Sequence, residues 1–225
     1  VDASGAVYYM NITSSSSTTN TTNWQSQLLV ESDAKCVVIS HDGNTIVIGV
    51  PSSNTVYVYT HTLFEQVWEW VAKQVIAMEF ASTAEIDDQF GYSLAISGDG
   101  TVIAVSAPYN DDQANDAGVV KTYIYDNNSE LFTLHGQVSS KLNIPQQKFG
   151  SSLALNYDGT RLAISAIEDY TQGHTGLLSI YGWVSDAETW SIFGSNISGP
   201  SSTETLFGWS VDMTNSGDIV AISAP

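Results

Sequence analysis

The chain has 225 residues, 43% of them hydrophobic, and sets 24 Asp and Glu against 6 Lys and Arg for a formal charge of −18. Such a surface argues against nucleic acid, whose phosphates must be met by Lys and Arg, and against anionic membrane. Length and apolar content suit one domain of repeated units around a sizeable core.

Cations, basic proteins and neutral sugars stay open as partners, and solubility in a salty medium explains the acidity equally well. The single cysteine, Cys36, allows no intrachain disulfide. It sits in the apolar run Cys36-Val37-Val38-Ile39, where a small core filler is expected rather than a nucleophile. No apolar run approaches the roughly 18 residues of a membrane span. Val1 stands where a Met is missing and no signal peptide precedes it, so the expectation is a processed protein or a fragment.

In chain order, residues 5–10 (GAVYYM) read as a strand, 11–23 as a low-complexity polar loop, and 24–30 (WQSQLLV) as the next strand. These are the second half of a unit. The next unit gives strands at Cys36–Ser40, Thr45–Val50, Thr55–Thr60 and Val67–Ile76. The last of these, VWEWVAKQVI, has the Trp, Val and Ile content of a strand rather than a helix. A third unit follows with strands at Phe90–Ser97, Thr101–Ala107, Gly118–Tyr125 and Leu131–Val138. A fourth has Phe149–Asn156, Thr160–Ala166, Gly176–Trp183 and Thr189–Phe193. A fifth, from Phe207, supplies two strands.

The first halves of these units repeat one phrase: FGYSLAISGDGTVIAVSAP from Phe90, FGSSLALNYDGTRLAISAI from Phe149 and FGWSVDMTNSGDIVAISAP from Phe207, with a weaker copy from Asp33. The Phe-Gly pairs recur about every 58 residues, a period that marks a repeat architecture. Three of these phrases fold back at Asp42-Gly43, Asp99-Gly100 and Asp158-Gly159, a pair suited to the positive φ of a hairpin turn. Tyr92, Leu94 and Ile96 alternate with Ser93, Ala95 and Ser97, giving each strand a large and a small face. Sheets stacked face to face about an axis need that difference.

The expected fold is therefore all-β: a β-propeller of four-stranded antiparallel blades, about 58 residues each. The division is a half blade at 1–30, blades at 33–78, 90–139 and 149–199, and a half blade at 207–225. The two halves either pair into a closed four-bladed ring or belong to a larger propeller with further blades. The abrupt stop at Ser223-Ala224-Pro225 favours the fragment.

Phe90-Gly91-Tyr92-Ser93 with Ser106-Ala107-Pro108 resembles the FG-GAP repeat of integrin α-subunit propellers, and more closely the shorter FG-GAP-like repeats of secreted and surface proteins. Phe149-Gly150 and Phe207-Gly208 repeat its first half, Val50-Pro51 and Ala224-Pro225 its second; Ala166-Ile167 lacks the proline. The resemblance implies an extracellular interaction module. Integrin-type repeats often bind calcium in the turn between the first two strands. Here each turn offers one carboxylate (Asp42, Asp99, Asp158), too few oxygens, and no calcium is expected there.

The run Tyr109 to Gly118 (YNDDQANDAG) is the metal candidate, with Asp111, Asp112, Asn115 and Asp116 as calcium ligands; it reads equally as a solvated acidic loop. No other cofactor is expected. His41, His61, His135 and His174 lie at no metal-ligand spacing. Sequons at Asn11, Asn20, Asn127 and Asn196 point to a secreted or cell-surface glycoprotein. Asn11, Asn20 and Asn127 fall in loops joining strands three and four. Glu85, Asp87, Asp88, Asp111, Asp112, Asp116, Glu168 and Asp169 fall in loops of the opposite face. One glycosylated face and one acidic, partner-binding face follow. Tryptophans at blade-equivalent positions (Trp24, Trp68, Trp70, Trp183, Trp190) read as packing, whereas Trp209 replaces Tyr92 and Ser151 of its sister repeats.

The expected function is a non-enzymatic extracellular interaction module for adhesion, matrix contact or assembly of a surface structure. Its partner would be an extracellular protein or glycan, with self-assembly or further blades also open. The alternatives are a carbohydrate-active propeller enzyme and the structural subunit of an extracellular filament. Neither a nucleophile elbow nor a triad of arginines supports an enzyme, Arg161 being the one arginine.

Overall fold

The structure, a computed structural model, describes residues 7–9, 25–27, 29–30, 33–64, 67–78, 86–140, 145–167, 175–200 and 206–225. Three consecutive antiparallel meanders dominate it. The first blade runs β3 (Cys36–Ile39), β4 (Thr45–Val50), β5 (Thr55–Phe64) and β6 (Val67–Ala77), paired in that order. The second runs β7 (Leu94–Ile96), β8 (Val102–Ala107), β9 (Val119–Asp126) and β10 (Leu131–Ser139). The third runs β11 (Phe149–Leu155), β12 (Arg161–Ala166), β13 (Leu177–Val184) and β14 (Thr189–Ile192). Two hairpins flank them: β1 (Val7–Tyr9) with β2 (Gln25–Gln27), and β16 (Val211–Met213) with β17 (Val220–Ile222).

The fold is all-β, as the repeat implies. Among the described residues the two hairpins form separate two-stranded sheets rather than one closed blade. The third blade also carries a strand that the pattern does not announce, β15 (Ile197–Ser198), which pairs with Leu177 and Leu178 of β13. Gly194, at φ +84°, breaks the outer strand into β14 and β15, so the strand does not simply end at Phe193. Outer strands of the other blades bend instead at bulges, β6 opposite Val58 and Tyr59 of β5 and β10 between Leu134 and Gly136.

Alternation sets the stacking. Ile103, Val105 and Tyr123 share one face of the second blade and meet Val47, Val56 and Val58 of the first in a single core. Ala104 and Val120, on the opposite face, meet Leu162, Ile164 and Tyr181 of the third. Ala154, Ala163 and Leu178 then receive Val211, with Val220 and Ile222 at the edge. Each blade thus lays its large face on the small face of the blade before it, which is the use the Leu/Ala alternation predicts.

The Phe-Gly pair makes this approach close. Gly150 has φ +97°, and a Cβ there would lie 2.7 Å from Cβ of Ser106; Gly208, also at +97°, would meet Cβ of Ser165 at 2.9 Å. The small residue of the second strand (Gly49, Ser106 or Ser165) and the glycine of the following repeat are two sides of one contact. The neighbouring Phe90 and Phe149 are fully buried and pack edge-on to Tyr123 and Tyr181.

Candidate functional site

Loops emerge at the two ends of the stack, and their hydrogen bonds sort them. At one end lie the turns between first and second strands. The Asp99 N–H donates to Tyr157 O at 3.2 Å, the Tyr157 N–H to Asn215 O at 3.0 Å and the His41 N–H to Gly98 O at 3.1 Å, so each turn is tied to the next around the axis. Within a turn the aspartate binds the hairpin through one carboxylate oxygen. Asp158 accepts from Thr160 Oγ1 at 2.6 Å, from the Thr160 N–H at 3.1 Å and from Asn156 Nδ2 at 2.7 Å. The Thr160 hydroxyl is the main reason that this carboxyl sits below its ordinary value, burial opposing it. These carboxylates are spent on the hairpin.

At the other end, loops between second and third strands meet the loops between blades. Asn110 Nδ2 donates to Asp88 Oδ2 at 3.1 Å, and the N–H groups of Gln146 and Lys148 donate to the carbonyls of Asn115 and Asp116. The metal candidate belongs to this face. Asp111 Oδ1 accepts the Asp116 N–H at 2.7 Å, Asp116 Oδ2 accepts from Asn115 Nδ2 at 3.1 Å, and Asp112 donates its N–H to Asn110 Oδ1 at 3.3 Å. Asp111, Asn115 and Asp116 therefore lie together as a self-bonded turn. Burial, and next the charge of Asp111, raise the Asp116 carboxyl, while Lys148 pulls it back. Among the described residues no group of three or more His, Cys, Asp or Glu converges to hold a metal.

A ladder that the sequence reading did not single out crosses this face. Lys35 Nζ lies 3.2 Å from the ring centroid of Tyr92, Tyr92 meets Tyr109 edge-on at 6.1 Å, and Lys148 Nζ lies 5.2 Å from the Tyr109 centroid. Two of the chain's few cations are thus set on half-buried tyrosines beside the acidic loop. The available signal was positional: Tyr109 follows the Ser-Ala-Pro phrase and Lys148 precedes Phe-Gly, so repeat geometry brings them to one end.

The acidity is not confined to this end. Asp126, Glu130, Asp186 and Glu188 lie in turns between third and fourth strands, at the end that carries Asp42, Asp99 and Asp158. A division into one acidic and one glycosylated face therefore gives way to acid at both ends.

Asn127 is exposed in the turn between β9 and β10. That turn is fixed by Asp126, whose carboxyl is lowered mainly by the Asn128 N–H and then by Ser129. Asn196 is exposed, and its Oδ1 accepts from Ser179 Oγ at 3.0 Å. Asn11, Asn20, Trp24, Glu85, Glu168, Asp169 and His174 lie outside the described residues. Asp87 is exposed and Asp88 buried against Asn110. The other histidines lie apart: His41 meets Tyr157, His61 stacks on Trp70 and His135 on Trp183. Burial pushes the Cys36 thiol up, as suits a filler at the core between the first two blades.

Along the axis, Val38 and Ile39, Leu94 to Ile96, Leu153 to Leu155 and Asp212 line a cavity of 240 Å³. Among the described residues, Asp212 is its one charged lining residue. Among the described residues no helix is long and apolar enough to cross a membrane.

Comparison with known proteins bears on this geometry at two levels. Residues 80–125, essentially the inner part of the second blade, match the family model of the FG-GAP repeat. No curated protein matches the chain. Among solved structures, the chain resembles a putative 6-phosphogluconolactonase from Bacteroides uniformis, with a TM-score of 0.55, 10% identity, and coverage of 98% of this chain and 52% of that one. It also resembles one from Bacteroides fragilis, with a TM-score of 0.52, 11% identity, and coverage of 78% and 42%. A third likeness is to the β-propeller domain of Myceliophteria thermophila Cps50 (Swd1), with a TM-score of 0.54, 13% identity, and coverage of 85% and 50%. At these identities the likeness is one of fold, and the chain spans about half the length of the structures it matches. Repeat and fold together define the class: an all-β array of propeller blades. More narrowly, residues 80–125 carry an FG-GAP repeat, and the repeating phrase of the other blades is similar to it.

Proposed function

We propose that the protein is a non-enzymatic interaction module, secreted or at the cell surface, which binds an extracellular protein or glycan in adhesion, matrix contact or assembly. The observation that carries this reading is the Lys35–Tyr92–Tyr109–Lys148 ladder, held across three blades by loop-to-loop hydrogen bonds beside the acidic turn at Asp111 and Asp116. Tyrosines pre-positioned on a rigid scaffold supply contact area at little entropic cost, and adjacent charges of both signs give orientation.

The test is retention of labelled protein on cells or matrix of the producing organism. Tyr92→Ala and Tyr109→Ala are expected to reduce retention about tenfold. Asn44→Ala, at the opposite end, should leave it unchanged. Equal retention of all forms would overturn the assignment of the face. Intact-glycopeptide mass spectrometry tests the compartment: sugar on Asn127 or Asn196 is expected, and bare asparagines at every sequon would count against secretion.

A further inference from the structure

β6 is the outermost strand of the first blade, and among the described residues it pairs with β5 alone. The Met78 N–H donates to Asn54 O at 3.2 Å, so residues 76 and 78 turn their backbone groups toward β5. Val75 and Ala77 alternate with them and direct N–H and C=O outward from the sheet. Such an edge is a template for a further strand.

That edge is one wall of a groove of 380 Å³ between the first two blades. The other wall is the second blade, with Lys121 and Tyr123 of β9 and Leu134 of β10. Leu134 is 61% exposed, although Phe132, two residues before it, is buried in the core between the blades. Lys121 is half-buried, and among the described residues neither a hydrogen bond nor an ion pair joins it to another group. The chain has 24 Asp and Glu, and none is on the described lining of this groove. A cation drawn partly out of water without a counter-charge is costly, and an incoming anion removes that cost.

The next interface shows another filling of the same place. Ser179, Tyr181 and Ile192 stand one repeat after Lys121, Tyr123 and Leu134, and the cavity that they line holds 90 Å³. Ser179 is buried there, and its hydroxyl donates to Asn196 Oδ1. The first groove thus departs from its sister in size and in charge at once.

We propose that this groove takes an extended peptide segment of a partner protein, which pairs by its backbone with Val75 and Ala77 and carries a carboxylate to Lys121. Side chains of an added strand alternate, so every second one turns to the second blade. Lys121 and Tyr123 are themselves two residues apart, and Leu134 lies opposite Tyr123. A peptide that answers both places has an acidic residue two positions from an apolar one. A small carboxylate would use Lys121 and leave the edge unpaired, so the outward groups of Val75 and Ala77 favour the peptide. The groove lies between outer strands, and this site does not depend on what the tyrosine ladder of the loop end binds.

The probes are the capped heptapeptides GTLTETG and GTLTQTG, followed by NMR titration and amide hydrogen exchange on the whole chain. GTLTETG should bind saturably and about tenfold more tightly than GTLTQTG, because a charge-assisted hydrogen bond replaces a neutral one. At saturation it should protect the Val75 and Ala77 amides about tenfold. Lys121→Gln should abolish the preference between the two peptides. Leu134→Ser, at an exposed position, should weaken GTLTETG about threefold or more. Arg161→Gln removes the same charge from the third blade and should leave the preference as it is. Equal binding of both peptides by the parent overturns the proposal, as does a lack of saturable binding or a preference that survives Lys121→Gln. Preference for GTLTETG without protection of the two amides also overturns it, and would mean a site for small carboxylates rather than for a strand.

Discussion

Gln74 holds the backbone of Phe132 by both atoms of its amide. Oε1 accepts the Phe132 N–H at 2.7 Å and Nε2 donates to the Phe132 carbonyl at 2.9 Å. The two residues sit on β6 and β10, the outermost strands of successive blades. An edge strand leaves such backbone groups unpaired, and here a side chain imitates the missing strand. The interface between the first two blades is thus apolar inside and closed by hydrogen bonds outside, with Lys73 and Glu130 forming an ion pair at 3.2 Å beyond it.

Gln74→Ala should therefore cost about 1–2 kcal/mol, because it leaves two backbone groups half-buried without their partner. Lys73→Ala should cost clearly less, its partner being largely exposed and the pair screened by solvent. Urea unfolding followed by tryptophan fluorescence separates the two. Equal effects would mean that the clasp contributes no more than the surface ion pair.

The glycines divide in the same way between contact and conformation. Gly43 has φ +72° with nothing within 4 Å of its hypothetical Cβ, so Gly43→Ala should cost only the left-handed backbone term, about 1–2 kcal/mol. Gly150 adds a collision with Ser106, and Gly150→Ala should cost about 1–3 kcal/mol more. Ser106→Gly in the same chain should recover part of that difference, since the colliding Cβ is removed. A double-mutant cycle measured by thermal unfolding reads the coupling, and strict additivity would show that the two residues do not press on each other.

The repeat made this interface legible in advance. Phe-Gly and Ser-Ala-Pro were visible as a phrase, and alternation of Leu94 with Ala95 announced unequal faces. Four apolar runs to each period near 58 residues announced the antiparallel strands, because that pattern leaves little freedom. What stayed hidden depends on pairs far apart in the chain. No local pattern marks Gln74 for Phe132, or Lys35 for Tyr92, since each contact exists only after two blades have stacked. The split of the outer strand at Gly194 was hidden for another reason: a glycine after Phe193 reads as a strand end and equally as a bend.

In the acidic loop two of the carboxylates already hold the turn together. Asp111 accepts the Asp116 N–H and Asp116 accepts from Asn115, with Lys148 near enough to offset the repulsion between the two carboxylates. A calcium ion would have to displace these bonds. Millimolar calcium should therefore move the melting temperature by less than about 2 °C relative to EDTA, whereas a saturated site would supply a few kcal/mol and a larger shift. A larger rise that Asp111→Asn abolishes would identify this loop as a calcium site.

His135 gives the fold a pH dependence of definite sign. Its ring stacks on Trp183 at 3.6 Å and meets Trp190 edge-on at 6.4 Å. Burial there lowers its pKa below the ordinary 6.5, with Glu188 pulling partly the other way. Between the lowered value and 6.5 the unfolded chain binds more protons than the folded one, so this residue's contribution is complete above 6.5 and is lost as pH falls through that window. His135→Phe keeps the stack and removes the titration. The melting temperature of the parent should fall from pH 7 toward pH 5 relative to that of the variant, and parallel curves would show that the imidazole protonates as freely in the folded blade as in water. Tryptophan fluorescence offers a second readout, because an imidazolium against Trp183 quenches it. The quenching midpoint should lie below 6.5 in the parent and be absent in His135→Phe.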